Sequence, residues 1–106
     1  MYKLCFYVPQ SHLEAVKSAV LAAGAGRIGN YDSCCWQVLG QGQFRPLPGS
    51  SPVLGQHGEV AQVDEYAVEM VCDKQYIKAA VVAMQEAHPY EEPAWSVIEL
   101  VTELPG

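Results

Sequence analysis

Two segments of the chain repeat the same grammar, a strand-like alternation followed at once by a helix-like stripe. Tyr2–Val8 sets Tyr2, Leu4, Phe6 and Val8 against Lys3, Cys5 and Tyr7, the period of a strand with one face in a core. Pro9 stops it, Ser11 and Glu14 form a capping-box pattern, and Leu13, Val16, Val20 and Ala23 recur at helical spacing up to Gly24. Glu65–Cys72 alternates in the same way, Asp73 offers a cap, and Ile77, Ala80, Val81 and Met84 mark one face of a second helix. That helix is apolar on its other side too, through Ala79, Val82 and Ala83, which suggests a second contact surface.

Between the halves, Ser33–Phe44 reads as a strand, and Gly40 and Gly42 within it suggest a bulge or a close backbone neighbour. Arg45–Gln62 is rich in Pro, Gly and Ser, a loop of a length that small domains usually reserve for function or assembly. After the second helix, His88–Pro93 is forced toward extended geometry because His88 and Glu92 precede prolines, and Trp95–Val101 resumes as a strand. The order β-α-β-β-α-β predicts an α+β, ferredoxin-like fold over residues 1–106, a four-stranded antiparallel sheet with two helices on one face. A chain of 106 residues, 50% hydrophobic and 17% charged, is one domain with a core of its own. The uncovered sheet face, carrying some of Cys5, Tyr7, Trp36 or their neighbours, must meet solvent or another copy, and its apolar content favours assembly.

Charge narrows the partners. Six Lys and Arg against twelve Asp and Glu give a net charge of −6, and the cations are scattered, so nucleic acid and anionic membrane are poor partners. No apolar run is long enough to span a bilayer, and the chain opens directly on a strand-like segment with no basic leader, which predicts a cytoplasmic protein. The four cysteines read as buried, reduced thiols, since Cys34 and Cys35 are adjacent while Cys5 and Cys72 lie inside strands.

Gly24–Gly29 matches G-x-G-x-x-G, but it follows a helix and precedes a strand, the reverse of the dinucleotide context. Gly24 is therefore expected to end the helix, leaving Arg27 and Asn30 as donors for an anion. His88-Pro89-Tyr90-Glu91-Glu92-Pro93 gathers an imidazole, a phenol and two carboxylates, and His88, Glu91 and Glu92 are candidate ligands for a divalent metal. Alternation along an extended stretch opposes their convergence, which favours a proline-fixed connection over catalysis or a cofactor site. His12 and His57 have no second ligand at metal spacing, no serine sits in a nucleophile elbow, and Tyr31, Trp36, Tyr90 and Trp95 read as core aromatics sooner than as a pocket. No catalytic residue emerges.

Taken together, Gly26-Arg27-Ile28-Gly29-Asn30-Tyr31, Cys34, the Gly40–Pro46 turn, Gly49, Pro52, Gly55, Glu69 and His88–Ala94 resemble the YqfO-type insert domain. This module is carried by some members of the family named after the yeast NGG-one-interacting factor, and the resemblance runs over nearly the whole chain. It implies a PII-like or CutA-like ferredoxin fold that tends to form trimers. The family's dinuclear metal centre belongs to flanking halves that this chain lacks, so neither those ligands nor the GTP cyclohydrolase activity attached to full-length relatives carries over. Gln41 departs from the family, where a small hydroxyl residue is expected between the glycines. The expectation is a non-enzymatic homotrimer taking a small ligand or a protein partner at clefts between subunits, with Arg27, Gly29, Asn30, Tyr31, Arg45, His88, Tyr90, Glu91 and Glu92 as the candidate site. In that scheme Arg27 or Arg45 donates to an anion and His88 or Glu91 tunes affinity with pH. A divalent-metal or metal-tolerance protein using His88, Glu91 and Glu92 is the first alternative, and a purely structural interaction domain the second.

Overall fold

The computed structural model describes all 106 residues. Strand β1, Tyr2–Pro9, buries Leu4, Phe6 and Val8 completely while Cys5 and Tyr7 face the other way, as the alternation predicts. A single 3-10 turn, Gln10–His12, follows Pro9 directly, and helix α1 spans Leu13–Ala22. That turn delays the helix, so the expected capping box does not form. Ser11 Oγ instead meets His12 Nδ1 at 2.8 Å, and Glu14 pairs with Lys17 at 3.3 Å along the helix. Leu13, Val16 and Val20 make the buried stripe of α1.

The helix ends as the glycine predicts. Gly24 takes φ of +116°, its N–H is donated to Leu21 O, and Ala25 N–H reaches back to Val20 O, the paired bonds of a Schellman motif. Buried Ala25 accompanies buried Val20, the apolar contact that usually goes with this motif. An added Cβ at Gly24 would lie 2.5 Å from the Tyr76 ring, so both backbone angle and space demand glycine.

Strand β2 is Trp36–Phe44, shorter at its start than expected, because Cys34 N–H is donated to Gly26 O and so lies outside the sheet. Strand β3, Ala61–Cys72, is longer than expected, since β2 pairs with it as far as Phe44↔Ala61. Helix α2 is Ile77–Ala87 with Ala80 and Met84 buried. Asp73 contributes only its backbone carbonyl, to Tyr76 N–H, so the helix starts without a side-chain cap. Strand β4 is Trp95–Glu99, two residues short of the expected end.

The sheet order is β2-β3-β1-β4 with every neighbouring pair antiparallel, the ferredoxin-like arrangement. The core, built from β1, β3, α1 and α2, centres on Phe6, Leu4, Val68 and Met84. Each such side chain contributes about 1.5–3 kcal/mol by leaving water. The edge strands β2 and β4 hold no fully buried residue. Beyond Pro9↔Glu65, where β1 stops, β2 and β3 continue alone as a two-stranded arm. The molecule is accordingly elongated, 53 × 28 × 24 Å, with a radius of gyration of 15.2 Å against about 13 Å for a rounded chain of this length. No helix is long and apolar enough to cross a membrane.

The second sheet face is bare and largely apolar. Trp36 and Val38 of β2 and Ile98 of β4 are exposed there, around Cys5 and Tyr7 of β1 and Glu65, Ala67 and Glu69 of β3. The four cysteines are free, but only Cys72 is buried, and Cys35 is exposed where burial was expected. Tyr31, Trp36 and Trp95, expected in the core, are instead exposed, because they sit in a loop and on the two edge strands.

Candidate functional site

The Arg45–Val60 connection does not trail away from the domain. Ser50 N–H and Oγ both donate to Leu47 O, Gly58 N–H donates to Pro46 O at 2.8 Å, and the His57 ring bonds Ser50 O at 2.8 Å. One bond ties this folded loop to the segment after α2: Ser51 N–H donates to Glu91 Oε1 at 3.1 Å. The space between them is a cleft of about 390 Å³, within the size range of small-molecule sites.

Three elements build its walls. The open sheet face contributes Tyr7 and Glu65, and the end of β2 contributes Phe44. The loop brings Arg45, Leu47 and Pro52–Leu54, while Tyr90, Glu91 and Glu92 close the opposite side. Phe44 and Tyr90 lie with ring centroids 6.2 Å apart. Gly42 has a clear task here. The Glu65 side chain lies across it, and a Cβ at that position would run into the carboxylate, so the close neighbour expected from the strand glycines is a side chain.

His88 stands behind the cleft wall, not in it. The ring is buried, its Nε2 bonds Tyr7 O at 2.6 Å, and its Nδ1 accepts Tyr90 N–H at 3.1 Å. Since Nδ1 accepts, Nε2 carries the proton and donates it to the carbonyl. Burial pushes the imidazole pKa below its usual value and His12 adds to that, against the bond to Tyr7. A neutral ring thus staples the connection after α2 to β1 and holds Tyr90 in place. Both ring nitrogens are occupied, and nowhere does the chain gather three or more His, Cys, Asp or Glu side chains able to hold a metal ion.

The remaining candidates fall elsewhere. Arg27, Gly29, Asn30 and Tyr31 line a separate shallow concavity with Asp32, on a turn closed by the Ile28↔Tyr31 bridge. Arg27 lies over the Tyr76 ring, 5.8 Å from its centroid. Gly26 N–H is donated to Val71 O, beside the start of β1, whereas His88 bonds Tyr7 near its end. One chain therefore brings together Arg45, Tyr90, Glu91 and Glu92, keeps His88 just behind them, and leaves the Gly26–Tyr31 group at the other end of the sheet.

Tyr7 and Glu65 are cleft residues that sequence reasoning missed. Both sit at outward positions of strands, and the glycine spacing of β2 was the one available signal. Burial raises the Glu65 pKa above the ordinary carboxylate value. The Tyr90 hydroxyl is buried without a hydrogen-bond partner, and its pKa is raised by burial first and by the Glu65 charge second.

No family model matches the chain. It is 48% identical over 99 residues, 93% of its length, to the GTP cyclohydrolase 1 type 2 homolog of Mycobacterium leprae, of which those residues are 26%. The chain spans about a quarter of the length of the curated relatives it matches. Among solved structures, a Bacillus cereus protein related to NIF3 superposes with a TM-score of 0.80 at 36% identity, over 93% of this chain and 25% of that one. CutA from Xylella fastidiosa superposes with a TM-score of 0.70 at 16% identity, over 98% of this chain and 86% of that one, a likeness of fold.

Proposed function

Because the chain is a YqfO-type insert module of the NGG-one-interacting-factor family, with the PII-like and CutA-like fold, we propose that it works as a non-enzymatic trimer. Its small ligand or protein partner would be held at the seams between copies. The observation that carries this reading is the bare, apolar sheet face flanked by two unpaired edge strands. Exposed Trp36, Val38 and Ile98 make it an unusual surface to leave in water, and β2 and β4 each present a row of free backbone groups. The area agrees: the chain exposes 6986 Å², against about 5,800 Å² for a compact monomer of its mass. Three copies is the number the fold resemblance implies, and a closed ring would remove the free edges.

Assembly also bears on the site. The Gly26–Tyr31 concavity and the Tyr90 cleft are separated by the length of β1 within one chain, so only a second copy can set them side by side. The arm of β2 and β3, which walls the cleft, projects past β1 and is free to meet a neighbouring copy. The GTP cyclohydrolase in the relatives' name refers to proteins about four times as long as this chain. Size-exclusion chromatography with light scattering tests the proposal: the expected mass is about three times that of the chain, and a strict monomer at micromolar concentration overturns it.

A further inference from the structure

The chemistry of the cleft walls identifies the kind of ligand, given that the binding reading above holds. Three carboxylates and a single guanidinium enter a space walled by Tyr7, Phe44 and Tyr90. Their situations differ. Glu91 already accepts Ser51 N–H, while Glu92 and Arg45 are exposed at the rim. Glu65 is drawn partly out of water across Gly42, and the one ion pair of the molecule, Lys17 with Glu14, does not involve it. The Tyr90 hydroxyl lies buried in the same cleft with nothing to bond. A desolvated carboxylate and an orphaned hydroxyl are each unfavourable, and the chain offers neither a partner.

We propose that the cleft takes a small organic ammonium ion with an aryl or branched-alkyl body, its N–H groups donated to the Glu65 carboxylate and the Tyr90 hydroxyl. The body packs against Phe44 and Tyr7, whose ring faces favour a cation in a way that suits an ammonium group. An anion fits poorly, because carboxylates outnumber Arg45 three to one here and the whole chain carries −6. A bare divalent ion fits poorly as well, since it asks for six or more oxygens and finds aromatic walls.

The test titrates the full chain by calorimetry at neutral pH and low salt with phenylethylammonium chloride, and separately with phenylpropionate as its anionic counterpart in shape. Light scattering on the same samples reports the assembly. The ammonium ion is expected to bind saturably, at least about tenfold more tightly than the anion, and to lose about tenfold in affinity in Glu65→Gln and in Tyr90→Phe. Melting curves of both variants establish that they are folded. Tighter binding of phenylpropionate, or ammonium affinity unchanged in both variants, overturns the ligand assignment while leaving assembly intact. Absence of heat from phenylethylammonium at about 1 mM also overturns it. A monomeric mass in these samples sinks the trimer independently of either titration.

Discussion

The two faces of one sheet are made from alternate residues of the same four strands, yet they obey different rules. On the helix-covered face Leu4, Phe6, Val8 and Val68 are completely withdrawn from solvent. On the other, one residue along each strand, Trp36 is 60% exposed, Ile98 52% and Tyr7 40%. Hydrophobicity alone does not separate them. What differs is where the acids fall, for Glu65 and Glu69 of β3 stand among the apolar groups of the open face, whereas on the covered side the acids, Asp64 and Glu99, lie beyond the end of β1 and at the end of β4. The covered face holds the folding core, while the open face leaves apolar side chains in solvent, the surface on which the proposed assembly rests.

The contrast breaks most sharply at Phe6. Phe6→Ala is expected to lower unfolding free energy by about 3–5 kcal/mol, read by urea titration, because it leaves a cavity among side chains with no route to water. A loss below about 1 kcal/mol would deny the covered face its dominance. Trp36→Glu places a charge on the open face. It should drop the light-scattering mass to that of one chain while leaving the far-ultraviolet circular dichroism unchanged, and an unaltered mass would remove Trp36 from the seam.

His88 joins the two regimes, since its buried ring supports the wall of a cleft on the open side. His88→Ala is expected to cost about 1–3 kcal/mol through the unmet Tyr7 carbonyl and Tyr90 amide. The pH dependence has a definite sign. A folded-state pKa below the usual 6.5 means that the unfolded chain binds the extra proton first, so stability is full above about 6.5 and falls as pH drops from there through the folded value. Melting temperatures should decline over that window in the parent chain, and by less in the alanine variant.

The smallest effect belongs to Glu65. Its raised pKa favours the protonated form in the folded chain, so its contribution is present below the usual 4.5 and lost as pH rises through the folded value. Glu65→Gln should therefore raise the melting temperature slightly at neutral pH, by little because solvent screens a partly exposed group. A lower melting temperature would mean that the carboxylate has a stabilising partner.

Much of the architecture could be read from periodicity. Strand alternation found β1 and the core-facing half of β3, helical spacing found the buried stripes of α1 and α2, and the inverted glycine context correctly made Gly24 a helix end. Local terms failed where a neighbouring turn intervened: the 3-10 turn after Pro9 shifted the start of α1 and left Ser11 with nothing to cap. Exposure of Trp36 and Trp95 was not legible because alternation says which side of a strand a residue takes, not whether that strand lies at an edge. The cleft escaped for another reason. It is closed by contacts far apart in the chain, Ser51 to Glu91 and His88 to Tyr7, and no local pattern encodes such meetings. Arg45, Tyr90, Glu91 and Glu92 were legible from the Gly40–Pro46 and His88–Pro93 segments that carry them, whereas Tyr7 and Glu65 reach the cleft only through the tertiary fold.

The bare outer strands give the domain the character of a tile with two different borders, one long at β2 and one short at β4. If the β4 border of one copy were laid against the β2 border of the next, another β2 border would be presented in turn, and addition would have no natural end except geometry. In the proposed assembly, accumulated sheet twist would bring the last border round to the first, and the number of tiles in the closed figure would then measure curvature. A substitution that flattens or tightens the strands would rewrite stoichiometry without touching a single contact residue.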